Sequence, residues 1–318
     1  MALCLITGIA GFIGSSIARA VLAQGDQVRG IDNFATGKRE NIVDIMPEID
    51  FREADLLDQN SLYDACRGVD YIFHEAAIPS VPKSVLDPLG NNRANVDGTV
   101  HLLIAARDAK VKRVVYAASS SAYGDTPTLP KHEGMLPNPI SPYAVAKLAG
   151  EHYMKSFFRC YGLETVCLRY FNIFGPRQDP TSQYSGVLAK FITQMLSDVQ
   201  PTIFGDGKQS RDFTYIDNAV HANLLAAKAP AREVAGEVFN VATGARFDLN
   251  ETFQLLKTII GYASEAKHGP ERAGDVKHSL ADLTRAEKQL GYTPQVAFEE
   301  GLRRTVQWYR REAQAAKA

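Results

Sequence analysis

Residues 5–18 read LITGIAGFIGSSIA, an apolar run that passes into three glycines and then into a helical pattern. Gly8, Gly11 and Gly14 allow the backbone to turn tightly and to approach a pyrophosphate, whose negative charge the following helix N-terminus attracts. The spacing is GxxGxxG and not the usual GxGxxG, so taken alone it fits a structural glycine turn as well as a nucleotide site. The neighbouring sequence therefore has to distinguish a structural turn from a nucleotide site.

That context is a carboxylate at the end of the second strand pattern, Asp32. A carboxylate in this position accepts hydrogen bonds from the adenosine ribose and would repel a 2′-phosphate, which favours NAD over NADP. The simpler alternative is that Asp32 only caps a turn before NFATG. Together with the glycines, Asp32 predicts an NAD site.

The first half of the chain alternates short β-branched runs with helical patterns. Strands are predicted at 3–7, 27–32, 49–55, 71–76, 113–119 and 165–171, and helices at 12–24, 60–67, 92–109 and 143–161. Apolar strands separated by helices are typical of a parallel sheet covered on both faces. We predict an α/β fold with a doubly wound parallel sheet of the Rossmann type.

The second half has a different pattern. A helix is predicted near 186–198, a hairpin or short strands within 201–216, a helix at 217–229 and a strand at 236–242 that returns to the main sheet; the remainder, 247–318, is mixed and ends in an amphipathic helix. We predict an NAD-binding domain from 1–172 plus about 217–243. Residues 173–216 plus 244–318 would form a smaller, interwoven substrate lobe.

The composition excludes several classes of protein. The 318 residues carry a net charge of −1 without a basic field, which argues against a nucleic-acid partner. No apolar run is long enough to span a membrane, and the N-terminus has no charged leader, so we expect a cytoplasmic protein. The four cysteines all lie in apolar segments and are expected to be reduced core residues, and the seven scattered histidines predict no metal site.

The stretch from Ser141 to Lys147 holds the candidate chemistry. Ser141 and Pro142 are suited to the N-cap and first position of a helix, and Tyr143 and Lys147 then share one helix face. Alone, this pair fits an ordinary surface helix. However, the serine run 119–121 follows the fifth strand at the ligand-binding edge of such a sheet. A nearby ammonium and a cationic nicotinamide ring would both lower the pKa of Tyr143 and allow it to act as a base.

Six motifs together resemble the extended short-chain dehydrogenase/reductase family, and within it the nucleotide-sugar 4-epimerases: TGxxGxxG, HEAA, NVDGT, SSSAYG, SPYAVAK and LRYFNIFGPRQ. The resemblance implies oxidation at C4 of a UDP-hexose by bound NAD⁺, rotation of the 4-keto sugar and return of the hydride to its other face. It implies Tyr143 as base and Lys147 as its modulator. Ser119 would be the hydroxyl partner, a role that Ser120 or Ser121 could share.

The resemblance also implies two sets of binding residues. The expected cofactor contacts are Gly8, Gly11, Phe12, Ile13, Gly14, Asp32, Asn33, Gly37, Asp55, Leu56, Ala76, Ala77, Ile78, Asn95, Tyr143, Lys147 and Tyr170. The expected substrate contacts are Ser80, Lys83, Ser119, Ser121, Tyr143, Asn172, Arg177, Val187, Thr202, Ile203, Phe204, Arg211, Arg272, Asp275 and Ser279. His74 is expected to be a packed core histidine.

Other reactions of the family fit less well. A dehydratase or a decarboxylase needs a carboxylate in the serine run, where Ser120 and Ser121 stand. A UDP-glucuronate 4-epimerase stays open, because Arg177 could pair with the sugar's carboxylate. A non-catalytic NAD sensor would not need the serine, tyrosine and lysine set. Ser279, by resemblance, faces the sugar's 2-substituent, and its small size predicts that UDP-N-acetylglucosamine is accepted; a plain turn residue is the alternative.

Apolar residues on more than one face of helices 92–109 and 143–161 point to self-association. The residues concerned are Leu102, Leu103, Ile104, Leu148, Phe157 and Phe158. A helix covered on one side by the sheet needs no second apolar face unless another surface covers it. We expect a homodimer with a four-helix bundle at its two-fold axis, which the family resemblance also implies.

Overall fold

The computed structural model describes residues 1–180, 186–271 and 277–315. The strands are β1 (Leu3–Thr7), β2 (Gln27–Asp32), β3 (Ile49–Glu53), β4 (Tyr71–His74), β5 (Arg113–Ser119), β6 (Glu164–Tyr170), β7 (Ile173–Phe174), β8 (Thr202–Phe204), β9 (Ser210–Arg211), β10 (Thr214–Tyr215), β11 (Glu237–Val241), β12 (Phe247–Asp248) and β13 (Lys267–Gly269).

The α-helices are α1 (Phe12–Ala23), α2 (Gln59–Cys66), α3 (Val81–Leu86), α4 (Pro88–Asn92), α5 (Gly98–Asp108), α6 (Pro142–Tyr161), α7 (Val187–Leu196), α8 (Ile216–Lys228), α9 (Ala231–Val234), α10 (Leu249–Ile260) and α11 (Phe298–Ala315). Short 3₁₀ turns lie at Arg39–Asn41, Met46–Glu48 and Ser120–Tyr123, and π-helical turns at Arg93–Asp97 and Ala286–Leu290. The helices include none that is long and apolar enough to cross a bilayer, as far as the described residues go.

Seven strands form one parallel sheet in the order β11–β6–β5–β4–β1–β2–β3. The predicted doubly wound sheet is confirmed, and so is the return of β11 beside β6. Successive side chains of β1 show why its run is apolar throughout: Leu5 packs into one buried cluster, and Cys4 and Ile6 into the cluster on the other face.

Of the two alternatives predicted for 201–216, the short strands are present and the hairpin is not. Each of the three short strands pairs with a distant segment: β8 runs parallel to β13, β9 is antiparallel to β12, and β10 runs parallel to β7. The glycine turn itself is present, with positive φ at Gly205 and Gly207. The chain turns there, but tertiary pairing decides its partners. The division into two lobes stays a prediction.

The prediction that a second subunit covers the apolar residues of helices 92–109 and 143–161 is partly wrong. Leu102, Leu103 and Phe157 belong to a cluster buried within the single chain, where α2, α5 and α6 pack together. The exposed apolar side chains lie on neighbouring positions, among them Val85, Leu86 and Leu89 of α3 and α4 and Val145 and Tyr153 of α6.

The prediction that all four cysteines are core residues needs one correction. Cys160 is exposed, whereas Cys4, Cys66 and Cys167 are buried.

Candidate active site at the carboxyl edge of the sheet

The glycines between β1 and α1 form a tight turn. Gly8 has a φ of +70°, and a Cβ on Gly14 would lie 2.3 Å from the Gly8 carbonyl oxygen. No side chain in the described part of the protein caps the N-terminus of α1, and its first turn, which holds Phe12 and Ile13, contains no acidic residue. An uncapped helix start behind a close-packed glycine turn fits a diphosphate.

Asp32, at the end of β2, is buried beside this turn. Its two carboxylate oxygens accept the backbone N–H groups of Ala10 and Phe34 at 2.9 and 2.8 Å, and burial raises its pKa. A Cβ on Gly37 would lie 2.9 Å from both oxygens, so the following loop closes over the carboxylate. At the neighbouring strand end, Asn33 donates to Asp55 at 2.7 Å, and Leu56 is buried. These groups fit a nucleoside beside the glycine turn.

The helix that holds Tyr143 and Lys147 begins as predicted. The Ser141 hydroxyl caps α6 by accepting the Ala144 N–H at 3.2 Å, and Pro142 takes the first position. The Tyr143 N–H donates to Ser84 Oγ of α3 at 3.0 Å. Lys147 is 3% exposed, and its Nζ donates to the Ala117 carbonyl of β5 at 2.7 Å. Both predicted side chains therefore lie at the end of β5.

The serine run lies against the same pair. Ser121 Oγ is 2.8 Å from Ser119 Oγ. Interaction with the Ser119 hydroxyl lowers the pKa of the Tyr143 phenol. Burial is the larger effect and, with the charge of Glu75, raises the pKa of Tyr143 to about 12. The expectation of a lowered phenol pKa is thus not met by the groups of the protein alone. Ser120 is half-buried at the start of the 3₁₀ turn.

His74 is fully buried, as predicted, at the end of β4. Its Nδ1 lies 2.8 Å from Thr7 Oγ1 and its Nε2 lies 2.9 Å from Thr99 Oγ1. The Thr99 hydroxyl donates its one hydrogen to the Asn95 carbonyl at 2.8 Å, so it accepts from His74 Nε2–H. This assigns the neutral Nε2–H tautomer. Burial, and secondarily the charge of Lys147, lowers the His74 pKa to about 3.

The same chain of hydrogen bonds continues to the start of α6. Asn95, in the π-helical turn, donates to Asn91 Oδ1 at 2.7 Å, and Asn91 donates to the Pro142 carbonyl at 3.2 Å. Asn95 Oδ1 accepts the Ile78 N–H at 2.8 Å, which fixes the backbone that follows Ala76 and Ala77. We call the series from Thr7 through His74, Thr99, Asn95 and Asn91 to Pro142 the His74 chain. It connects the end of β1 to the helix of Tyr143.

A cavity of about 240 Å³ lies beyond β6. It is lined by Asn172, Ile173, Phe174, Gln178, Gly186, Val187, Leu188, Thr202, Phe204, Gln209, Arg211, Phe213 and Leu249. Five of the predicted substrate residues are therefore brought together: Asn172, Val187, Thr202, Phe204 and Arg211. One cation among amides and aromatic rings is a suitable lining for a nucleoside diphosphate.

Several predicted substrate residues lie elsewhere. Ile203 faces the core at 2% exposure, because successive side chains of β8 alternate and only Thr202 and Phe204 face the cavity. Arg177 is not part of the lining; its guanidinium donates to Ser16 Oγ of α1 at 3.2 Å. The expected substrate contact of Arg177 stays a prediction.

The remaining predicted substrate residues lie near α3, near β9 or outside the described residues. Ser80 is buried and caps α3 by accepting the Lys83 N–H at 3.2 Å, whereas Lys83 itself is exposed. Ser279 is half-buried, and its N–H donates to the Ser210 carbonyl at 3.0 Å, next to β9 and Arg211. Arg272 and Asp275 lie outside the described residues. Within the described part of the chain, no cluster of three or more His, Cys, Asp or Glu could hold a metal.

One ionisable residue of the site was missed by the sequence reasoning. Glu75 directly follows β4, and its Oε1 accepts the Tyr170 hydroxyl at 2.9 Å. Burial raises the Glu75 pKa, and the Tyr170 hydrogen bond and the charge of Lys147 lower it. The residue belongs to the HEAA motif, so the signal was present.

The fold and this edge define a class of protein: an α/β enzyme with a dinucleotide-type glycine turn and a Ser–Tyr–Lys group at the carboxyl ends of its strands. Residues 4–242 match the model of the NAD-dependent epimerase/dehydratase family, and the chain belongs to this family. NAD is thus the cofactor of the family.

Similar proteins are found over nearly the whole chain. A UDP-glucose 4-epimerase of Mycolicibacterium smegmatis is 39% identical over 315 residues, covering 98% of this chain and 99% of its own. The crystal structure of the Thermotoga maritima UDP-glucose 4-epimerase with UDP-glucose has a TM-score of 0.93 at 39% identity. A UDP-N-acetylglucosamine 4-epimerase of Methanobrevibacter ruminantium has a TM-score of 0.93 at 40% identity. Each structure pair covers 98% of this chain and 99% of the other.

Proposed function

We propose that this enzyme interconverts UDP-hexoses that differ at C4, namely UDP-N-acetylglucosamine and its galacto epimer, UDP-glucose and UDP-galactose, or both pairs. The observation that supports this most directly is the group formed by Ser119, Tyr143 and Lys147. It lies at the same sheet edge as the glycine turn, and the cavity lined by Arg211 lies beyond β6. Similar 4-epimerases act on both kinds of sugar.

The glycine turn, Asp32 and the strand ends of β3 and β4 would hold the cofactor. When bound, NAD supplies a reversible hydride acceptor, so that oxidation at C4 and reduction from the other face give no net redox change. Asp32 stands where a 2′-phosphate would meet a negative charge, which favours NAD.

The chain's own residues handle the proton. Tyr143 would take the proton of the sugar's 4-hydroxyl, hold it while the 4-keto sugar turns, and return it to the carbonyl oxygen. The Ser119 hydroxyl, which lowers the pKa of the phenol, would hold the same sugar oxygen. Lys147 would supply a positive charge beside the phenol. Because burial raises the Tyr143 pKa, the phenolate needs such a charge near neutral pH.

The cavity region would hold the nucleotide, and Ser279 beside it would contact the sugar. Arg211 is proposed to bind the diphosphate, and Arg272 and Asp275 are further contacts proposed from the resemblance alone. Thr202 and Phe204 would contact the uracil. Ser279, adjacent to this region through its contact with Ser210, is proposed to leave room for a 2-acetamido group.

The glucuronate alternative is less supported. It depended on Arg177 as the partner of a sugar carboxylate, but this guanidinium contacts Ser16 of α1 and does not line the cavity. We propose a homodimer as the assembly, with Val145 and Tyr153 of α6 covered in a four-helix bundle. A cytoplasmic location remains a prediction from the sequence.

The test is a product assay. Purified enzyme with NAD is incubated separately with UDP-glucose, UDP-N-acetylglucosamine and UDP-glucuronate, and the nucleotide sugars are separated by chromatography. We expect the C4 epimer of one of the first two without added reductant. Conversion of UDP-glucuronate alone would change the substrate class. No epimer from any of the three, in a protein that binds NAD, would refute the proposal.

A further inference from the structure

Lys147 is a cation in an environment that disfavours its charge. It is 3% exposed, its Nζ donates to the Ala117 carbonyl at 2.7 Å, and the Nζ lies 4.9 Å above the Tyr116 ring. Burial lowers the Lys147 pKa. A carbonyl dipole and a ring face do not replace full hydration, so a buried ammonium needs an anion nearby to stay charged.

Two carboxylates raise the Lys147 pKa, Glu75 and Glu151. Glu151 lies one turn further along α6, but Arg169 of β6 already binds it through two hydrogen bonds of 2.9 and 2.7 Å. Both partners are 4% exposed, so the charge of Glu151 is largely balanced within its own ion pair. Glu75 is the carboxylate that has no cation of its own among the described contacts.

The other ionisable groups around Lys147 and Glu75 are neutral near pH 7. The His74 pKa is lowered to about 3, and the pKa values of the three nearby phenols, Tyr116, Tyr143 and Tyr170, are all raised by burial. They belong to β4, β5, β6 and α6. The charge on Lys147 therefore depends mainly on Glu75.

Glu75 is held in place by neutral donors. Tyr170 of β6 donates to its Oε1 at 2.9 Å, and Asn223 of α8 donates to the Tyr170 oxygen at 2.7 Å. The strand order is β6–β5–β4, so the Glu75–Tyr170 contact crosses the end of β5, the strand whose Ala117 carbonyl binds Lys147. A hydrogen bond from a neutral hydroxyl orients the carboxylate and leaves its charge uncompensated.

We propose that Glu75 is the counter-ion of Lys147, a positioning residue whose carboxylate keeps the lysine protonated and so maintains the cation beside Tyr143. The carboxylate also acts on Tyr143 directly, in the opposite sense, because a second anion disfavours the phenolate. Glu75 therefore favours catalysis only by keeping Lys147 charged. The catalytic part of this inference rests on the proposed function, whereas the charge state of Lys147 does not.

Glu75→Gln tests the charge alone, because the glutamine amide oxygen can still accept from Tyr170. The protein is labelled with [¹³Cε]lysine and saturated with NAD, the Lys147 signal is assigned with Lys147→Met, and its shift is followed from pH 6 to pH 10. Loss of the anion should lower the Lys147 midpoint by about one pH unit, the lower end of the range for an opposite charge at short distance. Glu75→Asp should restore part of the shift.

The alkaline limb of the kcat profile should move to lower pH in the same variant, because Lys147 loses its proton earlier. An unchanged Lys147 midpoint in Glu75→Gln would overturn the inference whether or not the protein is an epimerase. If the glutamine variant does not fold, the wild-type signal decides: it should show a second, smaller inflection as Glu75 titrates. A single inflection would then refute the pairing. Absence of any epimerisation by wild-type enzyme would instead count against the proposed function.

Discussion

The ion pair between Glu151 and Arg169 offers a sharp test of how α6 is held on the sheet. Glu151→Gln leaves the Arg169 guanidinium buried with a neutral partner, and its Nη1 already has no hydrogen-bond partner among the residues that the structure describes. Removing one partner of a buried pair costs about 3–5 kcal/mol. At about 2.1 cal/mol/K per residue, a chain of 318 residues loses roughly 4–8 °C in Tm from that cost.

The assay is calorimetry at fixed protein and NAD concentrations, since a bound ligand raises Tm by mass action. Glu299→Gln is the matched control, because Glu299 pairs with Arg303 at 2.6 Å with both side chains about half exposed. That pair is worth under about 1 kcal/mol. Replacing both Glu151 and Arg169 by methionine should recover most of the loss. A Tm change in Glu151→Gln no larger than in Glu299→Gln would refute the reasoning.

Four other outcomes are expected. Tyr143→Phe should keep Tm and bound NAD but lose at least about 10²-fold in turnover, and near-normal turnover would remove the residue from the base role. Gly14→Ala, whose Cβ would meet the Gly8 oxygen at 2.3 Å, should weaken NAD binding at least about tenfold by calorimetry; unchanged affinity would contradict the close turn. Ser279→Tyr should abolish turnover of UDP-N-acetylglucosamine and spare UDP-glucose, and equal effects on both sugars would place the gate elsewhere. Because unfolded His74 takes up a proton near pH 6.5 and the folded residue does so only at about pH 3, stability should fall as the pH drops below 6.5. At pH 5 that loss is about 2 kcal/mol in urea unfolding, and His74→Gln should lack it.

The sheet and the glycine turn could be predicted because their signals are local. An apolar run between helical patterns indicates a strand buried on both faces, and a Cβ at Gly14 has no room in such a turn. The burial of His74 followed from its strand in the same way. Ser141 and Pro142 marked the start of α6 because capping depends on a few neighbouring residues.

What could not be predicted depends on distant partners. Periodicity showed that Leu102 and Phe157 face something apolar, but not that the covering surface belongs to the same chain. Arg177 was placed by its motif, whereas its long side chain extends to α1. The position of Glu75 depends on Tyr170, which donates to it and lies nearly a hundred residues later in the chain.

The His74 chain has a consequence for how this edge can change by mutation. Each hydrogen in the series has one direction, because the Thr99 donation fixes the His74 tautomer and Asn95 donates to Asn91 while it accepts from Ile78. Such a series has no alternative arrangement with the same number of bonds. Replacing one member leaves a buried donor or acceptor unpaired at each of its neighbours, at about 1–3 kcal/mol each, whereas an apolar replacement of both members of a contact can be nearly neutral. Replacing both members of one contact removes the unpaired groups between them and leaves those at the outer neighbours. For Thr7 and His74 replaced together, these are the Ala76 N–H and the Thr99 oxygen. The double variant should therefore lose less stability than the sum of the two single variants.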